Sequence, residues 1–168
     1  MKEIYFAGGC FWGTEHYIKQ INGVISTEVG YANGDTEYPT YEEVYTDTTG
    51  FAECVKVAYN PAVISLRFLV ELFFRSIDPL SLNRQGNDCG TRYRTGVYYV
   101  DGEDVSAIKA VFDSVEAVLG GSLAVELGPL KNFYFAEEYH QDYLDKNPHG
   151  YCHIPLSLMM MAKLANKK

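Results

Sequence analysis

The stretch KEIYFAGGCFWGTEHYIKQING, residues 2–23, carries the reading on which the fold turns. Residues 2–7 read as a short strand entering a Gly8-Gly9 turn; beyond it Phe11, Thr14, Ile18 and Ile21 recur at helical spacing, and Gly23 closes the run. Strand, glycine turn and helix in that order set Cys10 at the helix start. The amino end of a helix carries partial positive charge, which favours thiolate, and glycines admit close approaches that a Cβ would block. Phe11 and Trp12 offer an apolar wall beside the sulfur. The competing reading is a buried cysteine packed as a small hydrophobe.

Working outward, residues 24–30 alternate through Ile25, Thr27 and Val29 as a strand, and residues 51–59 form another whose one face carries Phe51, Glu53, Val55, Val57 and Tyr59. Ser65 caps a helix that buries Phe68, Leu69, Leu72, Phe73 and Ile77 and is stopped by Asp78-Pro79. Residues 97–100 make a strand. Val105, Ile108, Val111, Phe112, Val115, Val118 and Leu119 mark an amphipathic helix closed by Gly120-Gly121, and Leu123, Val125 and Leu127 alternate as a further strand. Two polar segments, 31–50 and 80–95, read as long irregular loops of the kind that carry function. Phe133-Tyr134-Phe135 leads into a short helical stretch through Tyr139, His140 and Tyr143, and residues 145–168 read as an irregular C-terminal segment. The class this order predicts is α+β, a two-layer sandwich with a mixed central sheet, flanking helices and long irregular loops.

The chain has 168 residues, 47% of them hydrophobic, enough for one sizeable core, so residues 1–168 are expected to form a single domain. No apolar run is long enough to cross a bilayer and the start lacks a secretory apolar region, which points to a cytoplasmic protein without a membrane partner. A formal charge of −8 argues against sequence-independent nucleic-acid binding. Four cysteines in such a chain are expected to be reduced, so a disulfide among them would be transient and catalytic. Cys10, Cys54, Cys89 and Cys152 include no pair at zinc-ligand spacing; His149, Cys152 and His153 form only half of a metal motif.

Glu53 falls on an apolar face, where desolvation would keep its carboxyl protonated and able to donate; the alternative puts residue 53 at a sheet edge, its carboxylate reaching water or Arg92. Tyr41 and Tyr93 bring phenolic donors to the two loops, though amphipathic packing also accounts for either one. Asp88 serves as an acceptor toward a ligand or as a turn contact. Cys54 and Cys89 are candidates for inert thiols, with Cys54 facing opposite to Glu53. Cys152 follows Gly150 in a segment that could bring a second thiol to Cys10.

These residues together resemble the A-type peptide methionine sulfoxide reductases over nearly the whole chain. The resemblance lies in Gly9-Cys10-Phe11-Trp12-Gly13, Gly30-Tyr31 with Pro39-Thr40-Tyr41, Gly50-Phe51-Ala52-Glu53, Asn83 to Asp88 with Gly90-Thr91 and Tyr93-Arg94, Tyr139-His140-Gln141 and Gly150-Tyr151-Cys152. It implies that Cys10 is the nucleophile, that Phe11 and Trp12 hold the substrate methyl group, that Tyr41, Glu53 and Tyr93 bind and protonate the sulfoxide oxygen, and that Asp88 orients the substrate backbone. It further implies preference for the S sulfoxide, free or in oxidised proteins, and no metal or organic cofactor. A Cys10 to Cys152 disulfide would be reset by a thioredoxin-like reductant. Phe51 stands where many members carry His, and no cysteine follows Cys152, which suggests a two-cysteine cycle. The rival classes are a cysteine hydrolase pairing Cys10 with His16, His140 or His149, a metal-binding module, and a non-catalytic peptide-binding domain lined by Trp12 and tyrosines.

Overall fold

The structure is a computed structural model and describes residues 1–166. In chain order its elements are β1 (Lys2–Gly8), α1 (Phe11–Lys19), β2 (Val24–Ala32), α2 (Tyr41–Tyr45), β3 (Ala52–Tyr59), α3 (Leu66–Arg75), the two-residue strands β4 (Arg84–Gln85) and β5 (Asp88–Cys89), β6 (Thr95–Tyr99), α4 (Val105–Leu119), β7 (Glu126–Pro129), β8 (Phe133–Phe135), α5 (Tyr143–Lys146) and α6 (Leu156–Leu164). Short 3-10 turns lie at Thr91–Tyr93, Gly102–Asp104 and Glu138–His140.

Six strands pair in the order β7-β6-β1-β3-β2-β8. All neighbours are antiparallel except β6 and β7, which are parallel. A parallel pair needs a long crossover, and α4 supplies it. The period-2 pattern of β3 sorts its side chains as its sequence predicts: Val55, Val57 and Tyr59 join the main core with Ile4 and Phe6 of β1, whereas Ala52 and Cys54 face the other way into a small cluster with Tyr5, Ala7 and Tyr98. Helices α1, α3, α4 and α6 all bury residues in the main core, among them Ile18, Leu69, Phe73, Ile108, Val111 and Ala162. The fold is therefore α+β with a mixed sheet and its helices over one face.

Local signals held where they rest on backbone chemistry. The Ser65 side chain accepts from the Phe68 N–H at 3.2 Å, and Gly120 ends α4 with φ 71, a left-handed conformation that glycine adopts at little cost. Elsewhere the structure corrects the reading. A bulge between Val24 and Ser26 breaks the alternation of β2, and Ile25 is exposed. The segment 31–50 holds α2, opened by a capping box in which Thr40 and Glu43 satisfy each other's backbone N–H groups, and 80–95 contains the β4–β5 hairpin. Val118 and Leu119 are exposed rather than buried on α4. The C-terminal segment 145–168, expected to be irregular, forms α6 over nine residues, whose Met159 and Ala162 pack into the core; its last two residues lie outside the described ones.

Candidate active site

Gly9, with φ 87, turns the chain from β1 into α1, and a Cβ there would lie 2.8 Å from the Gln85 Cβ. This turn makes Cys10 the N-cap of α1, buried at 7% exposure. The first N–H groups of a helix have no partner within it. Here the Phe11 N–H donates to Glu53 Oε1 at 3.1 Å, while those of Trp12 and Gly13, in the same first turn, act to lower the Cys10 pKa.

Glu53 is the second residue of β3, a strand flanked by β1 and β2 inside the sheet, and it is 2% exposed, so the sheet-edge alternative fails. Burial pushes its carboxyl up to about 8; the Phe11 N–H and Arg92 pull it down and Asp88 pushes it up further. At neutral pH Glu53 is mostly protonated. Arg92 does not pair with it: its guanidinium is salt-bridged to Asp47 and lies over the rings of Tyr45 and Tyr93, 4.2 and 4.3 Å from their centres.

The same burial corrects the expectation of a resting thiolate. The Cys10 thiol is pushed well above its ordinary value, first by desolvation and then by Glu53, and the two N–H groups of α1 offset only part of this. A helix terminus contributes about 0.3–1 kcal/mol at a surface and up to about 2 when partly buried, whereas full desolvation shifts a pKa by roughly 3–5 units. Burial wins, and Cys10 rests as a neutral thiol.

Around this pair stand phenols and rings. Burial raises the Tyr41 hydroxyl to about 12 and Tyr93 higher still, with Glu53 the next cause in both, so each remains a proton-bearing donor. Trp12 stacks on Tyr143 with centroids 3.7 Å apart and donates from Nε1 to His140 Nδ1 at 3.0 Å. His140, 1% exposed, also packs against Phe11 and Tyr41; burial holds it below its ordinary pKa, so it is neutral. The hydrolase reading needs a His base for Cys10, but His140 Nδ1 is taken by Trp12, His16 faces Asp145 at 3.5 Å, and His149 is exposed.

Asp88 reaches the site from the β4–β5 hairpin, raising the pKa of both Cys10 and Glu53, and its Oδ2 is buried without a partner. Cys152, half-buried, donates to the Ile154 carbonyl at 3.4 Å, and its Sγ lies 3.1 Å from where a Cβ on Gly13 would sit. Both cysteines thus border Gly13, and both are free thiols. Cys54 is buried on the far face of β3, and Cys89 is exposed on the hairpin. Among the described residues no group of three His, Cys, Asp or Glu side chains is placed to hold a metal ion.

Two residues of the site received no role from the sequence, Tyr31 standing there only as part of a motif. Tyr31, directly across from Glu53 in the β2–β3 ladder, donates to Glu137 Oε1 at 2.9 Å, and Glu137 Oε2 accepts from the Tyr41 N–H at 3.1 Å. Burial alone would raise the Glu137 carboxyl, but hydrogen bonds from its own backbone, Tyr31 and Tyr41 outweigh it and hold the carboxyl low. Glu137 therefore fixes Tyr41 from a position 96 residues away.

A buried thiol that shares its pocket with a protonated carboxyl and two phenols, with a second thiol close by, defines a cysteine-dependent oxidoreductase. A family model described as peptide methionine sulfoxide reductase matches residues 2–168. The chain is 54% identical over 159 residues to the peptide methionine sulfoxide reductase MsrA of Clostridium acetobutylicum, covering 95% of this chain and 98% of that one. Mxr1 from Saccharomyces cerevisiae in its reduced form superposes with a TM-score of 0.87 at 42% identity, over 92% of this chain and 91% of that chain. Mxr1 in complex with Trx2 matches with a TM-score of 0.60 at 31% identity, over 84% of each chain. This chain belongs to the peptide methionine sulfoxide reductase family.

Proposed function

We propose that the chain reduces the S sulfoxide of methionine, free or in oxidised proteins, with Cys10 as nucleophile and Glu53 as acid. The observation that carries this reading is the carboxyl of Glu53 held up to about 8 in the pocket of the Cys10 thiol. A sulfoxide sulfur accepts a nucleophile poorly until its oxygen is protonated or strongly hydrogen-bonded. Glu53, Tyr41 and Tyr93 are the three proton donors for that oxygen. Phe11 and Trp12 hold the methyl group, and the unpartnered Asp88 Oδ2 accepts from the substrate backbone.

In the first half-reaction the oxygen passes from the substrate to the Cys10 sulfur: a sulfur–oxygen bond forms on Cys10, the sulfur–oxygen bond of the substrate breaks, and the substrate sulfur keeps the electron pair. Methionine leaves and the oxygen remains on Cys10 as sulfenic acid. The thiol proton of Cys10 travels by way of Glu53 to that oxygen, so Glu53 ends protonated as it began. In the second half Cys152 condenses with the sulfenic acid to a disulfide and releases water. A thioredoxin-like donor then resets both thiols by exchange, a reading supported by the resemblance to Mxr1 in complex with Trx2. The chain would act in the cytoplasm, as expected of a protein that cycles between thiols and a disulfide. Among the described residues no helix is long and apolar enough to cross a membrane.

Separated R and S methionine sulfoxides, incubated with the reduced protein and no reductant, test this. The S form is expected to release about one methionine per chain and to link Cys10 to Cys152. Equal turnover of both epimers would refute the stereochemical assignment, and free thiols in peptide maps after turnover would remove Cys152 from the cycle.

A further inference from the structure

The cycle above gives no part to His153, although its ring and the Cys152 thiol are both set against Gly13 in the first turn of α1. His153 Nε2 stands 3.0 Å from the Gly8 carbonyl oxygen. A carbonyl only accepts, so Nε2 carries the proton of the neutral ring and Nδ1 presents a bare lone pair. That nitrogen is buried and has no hydrogen-bond partner. Buried polar atoms are nearly always paired, and one left open is a candidate for a partner that arrives during function.

The position a Cβ on Gly13 would occupy lies 3.0 Å from His153 Nδ1 and 3.1 Å from Cys152 Sγ. Gly13 also stands in the first turn of the helix that Cys10 caps, and its N–H is one of the two that lower the Cys10 pKa. A free base, the second thiol and the donors of the first thiol thus converge on one turn of α1. Absence of a side chain at Gly13 keeps the space between them open. Cys152 meanwhile is a neutral thiol, raised by burial, with its proton on the Ile154 carbonyl. Only the thiolate attacks sulfur at a useful rate.

We propose that His153 Nδ1 takes the Cys152 proton in the step that forms the disulfide. The inference rests on the cycle proposed above. As the Cys152 sulfur bonds to Cys10 sulfur, the bond from Cys10 to its hydroxyl breaks. The proton held on His153 passes to the departing hydroxide, giving water, and the ring returns neutral with no external acid or oxidant. The charged and titratable groups placed at the ring are Asp88 from β5 and Cys152 from its own segment.

His153→Gln separates the two uses of the ring, because its amide N–H can still donate to the Gly8 carbonyl while its oxygen cannot take a proton at neutral pH. One turnover of the reduced protein with S methionine sulfoxide yields two rates, methionine release and disulfide formation. In the parent the second rate rises with pH up to the ring's pKa, below 6.5, and is then flat. In His153→Gln the disulfide rate at pH 7 is expected to fall about 10²-fold relative to methionine release, the low end of general-base effects, and its rise is expected to move up toward the titration of Cys152 itself. Cys152→Ser, trapped with a sulfenic-acid reagent, defines the unresolved state. An unaltered ratio and pH profile in His153→Gln would overturn the proposal and leave His153 an anchor for Gly8. No methionine from the parent would overturn the parent cycle itself, a result distinct from either.

Discussion

Glu53→Gln removes one proton while keeping the carboxyl's shape and its acceptor for the Phe11 N–H, so it isolates what the acid does. With the carboxyl at about 8, the parent is mostly protonated at pH 7 and loses the acid as pH rises past 8. The glutamine cannot donate an acidic proton, and methionine release in a single turnover should slow roughly 10²–10⁴-fold at pH 7. The alkaline limb near pH 8 should vanish with it. Stability supplies a second reading of the same group. Unfolded, Glu53 titrates near 4.5; folded, near 8. The native state therefore holds a proton that the unfolded chain gives up, and stability falls as pH rises between those two values. At about 1.36 kcal/mol per pH unit the full difference approaches ~5 kcal/mol above pH 8 and is absent below 4.5. Glutamine has no such liability, so denaturant unfolding should show Glu53→Gln gaining on the parent steadily from pH 5 to 8. Equal methionine-release rates at pH 7, or a stability difference that does not change with pH, would refute the protonated carboxyl.

Arg92→Met should raise the Glu53 carboxyl further, because the guanidinium is one of the two influences that lower it; the alkaline limb of the rate profile is expected above pH 8, and a limb that stays or drops would contradict the field argument. The same change strips Asp47 of its partner and should cost about 1–3 kcal/mol in urea unfolding. Trp12→Phe keeps a ring to stack on Tyr143 but leaves both nitrogens of His140 unpaired in the core, so a loss of about 1–3 kcal/mol with a higher KM is expected, checked by unfolding and steady-state kinetics.

The parts of this architecture that are legible in the chain are those decided within a few residues. The β1 to α1 junction is written in its glycines and in the helical spacing of Phe11, Thr14, Ile18 and Ile21, all buried in the structure. Alternation alone put Glu53 among apolar side chains. The capping box that starts α2 is present as Thr40 to Glu43 and could have been found by its spacing. What local pattern cannot carry is burial and long-range pairing. Cys10 looks like a thiolate from its place on a helix and is a thiol because the surrounding core desolvates it. The Tyr31, Glu137 and Tyr41 network joins three separate segments, and α6 is a short helix whose packing against the core, rather than its propensity, makes it ordered.

Segment 147–155 is pinned at both ends. On one side Lys19 bonds Asp142 and reaches Asp145 at 2.7 Å, and on the other the core holds Met159 and Ala162 while Asn166 bonds the Asn22 carbonyl at 2.9 Å. Such a short leash gives Cys152 millimolar-scale presence around its own α1 and almost none around a neighbouring molecule's. The sulfur chemistry proposed between Cys152 and Cys10 would thus be first order and indifferent to dilution, and a crowded solution of this protein would gain no covalent dimers from it.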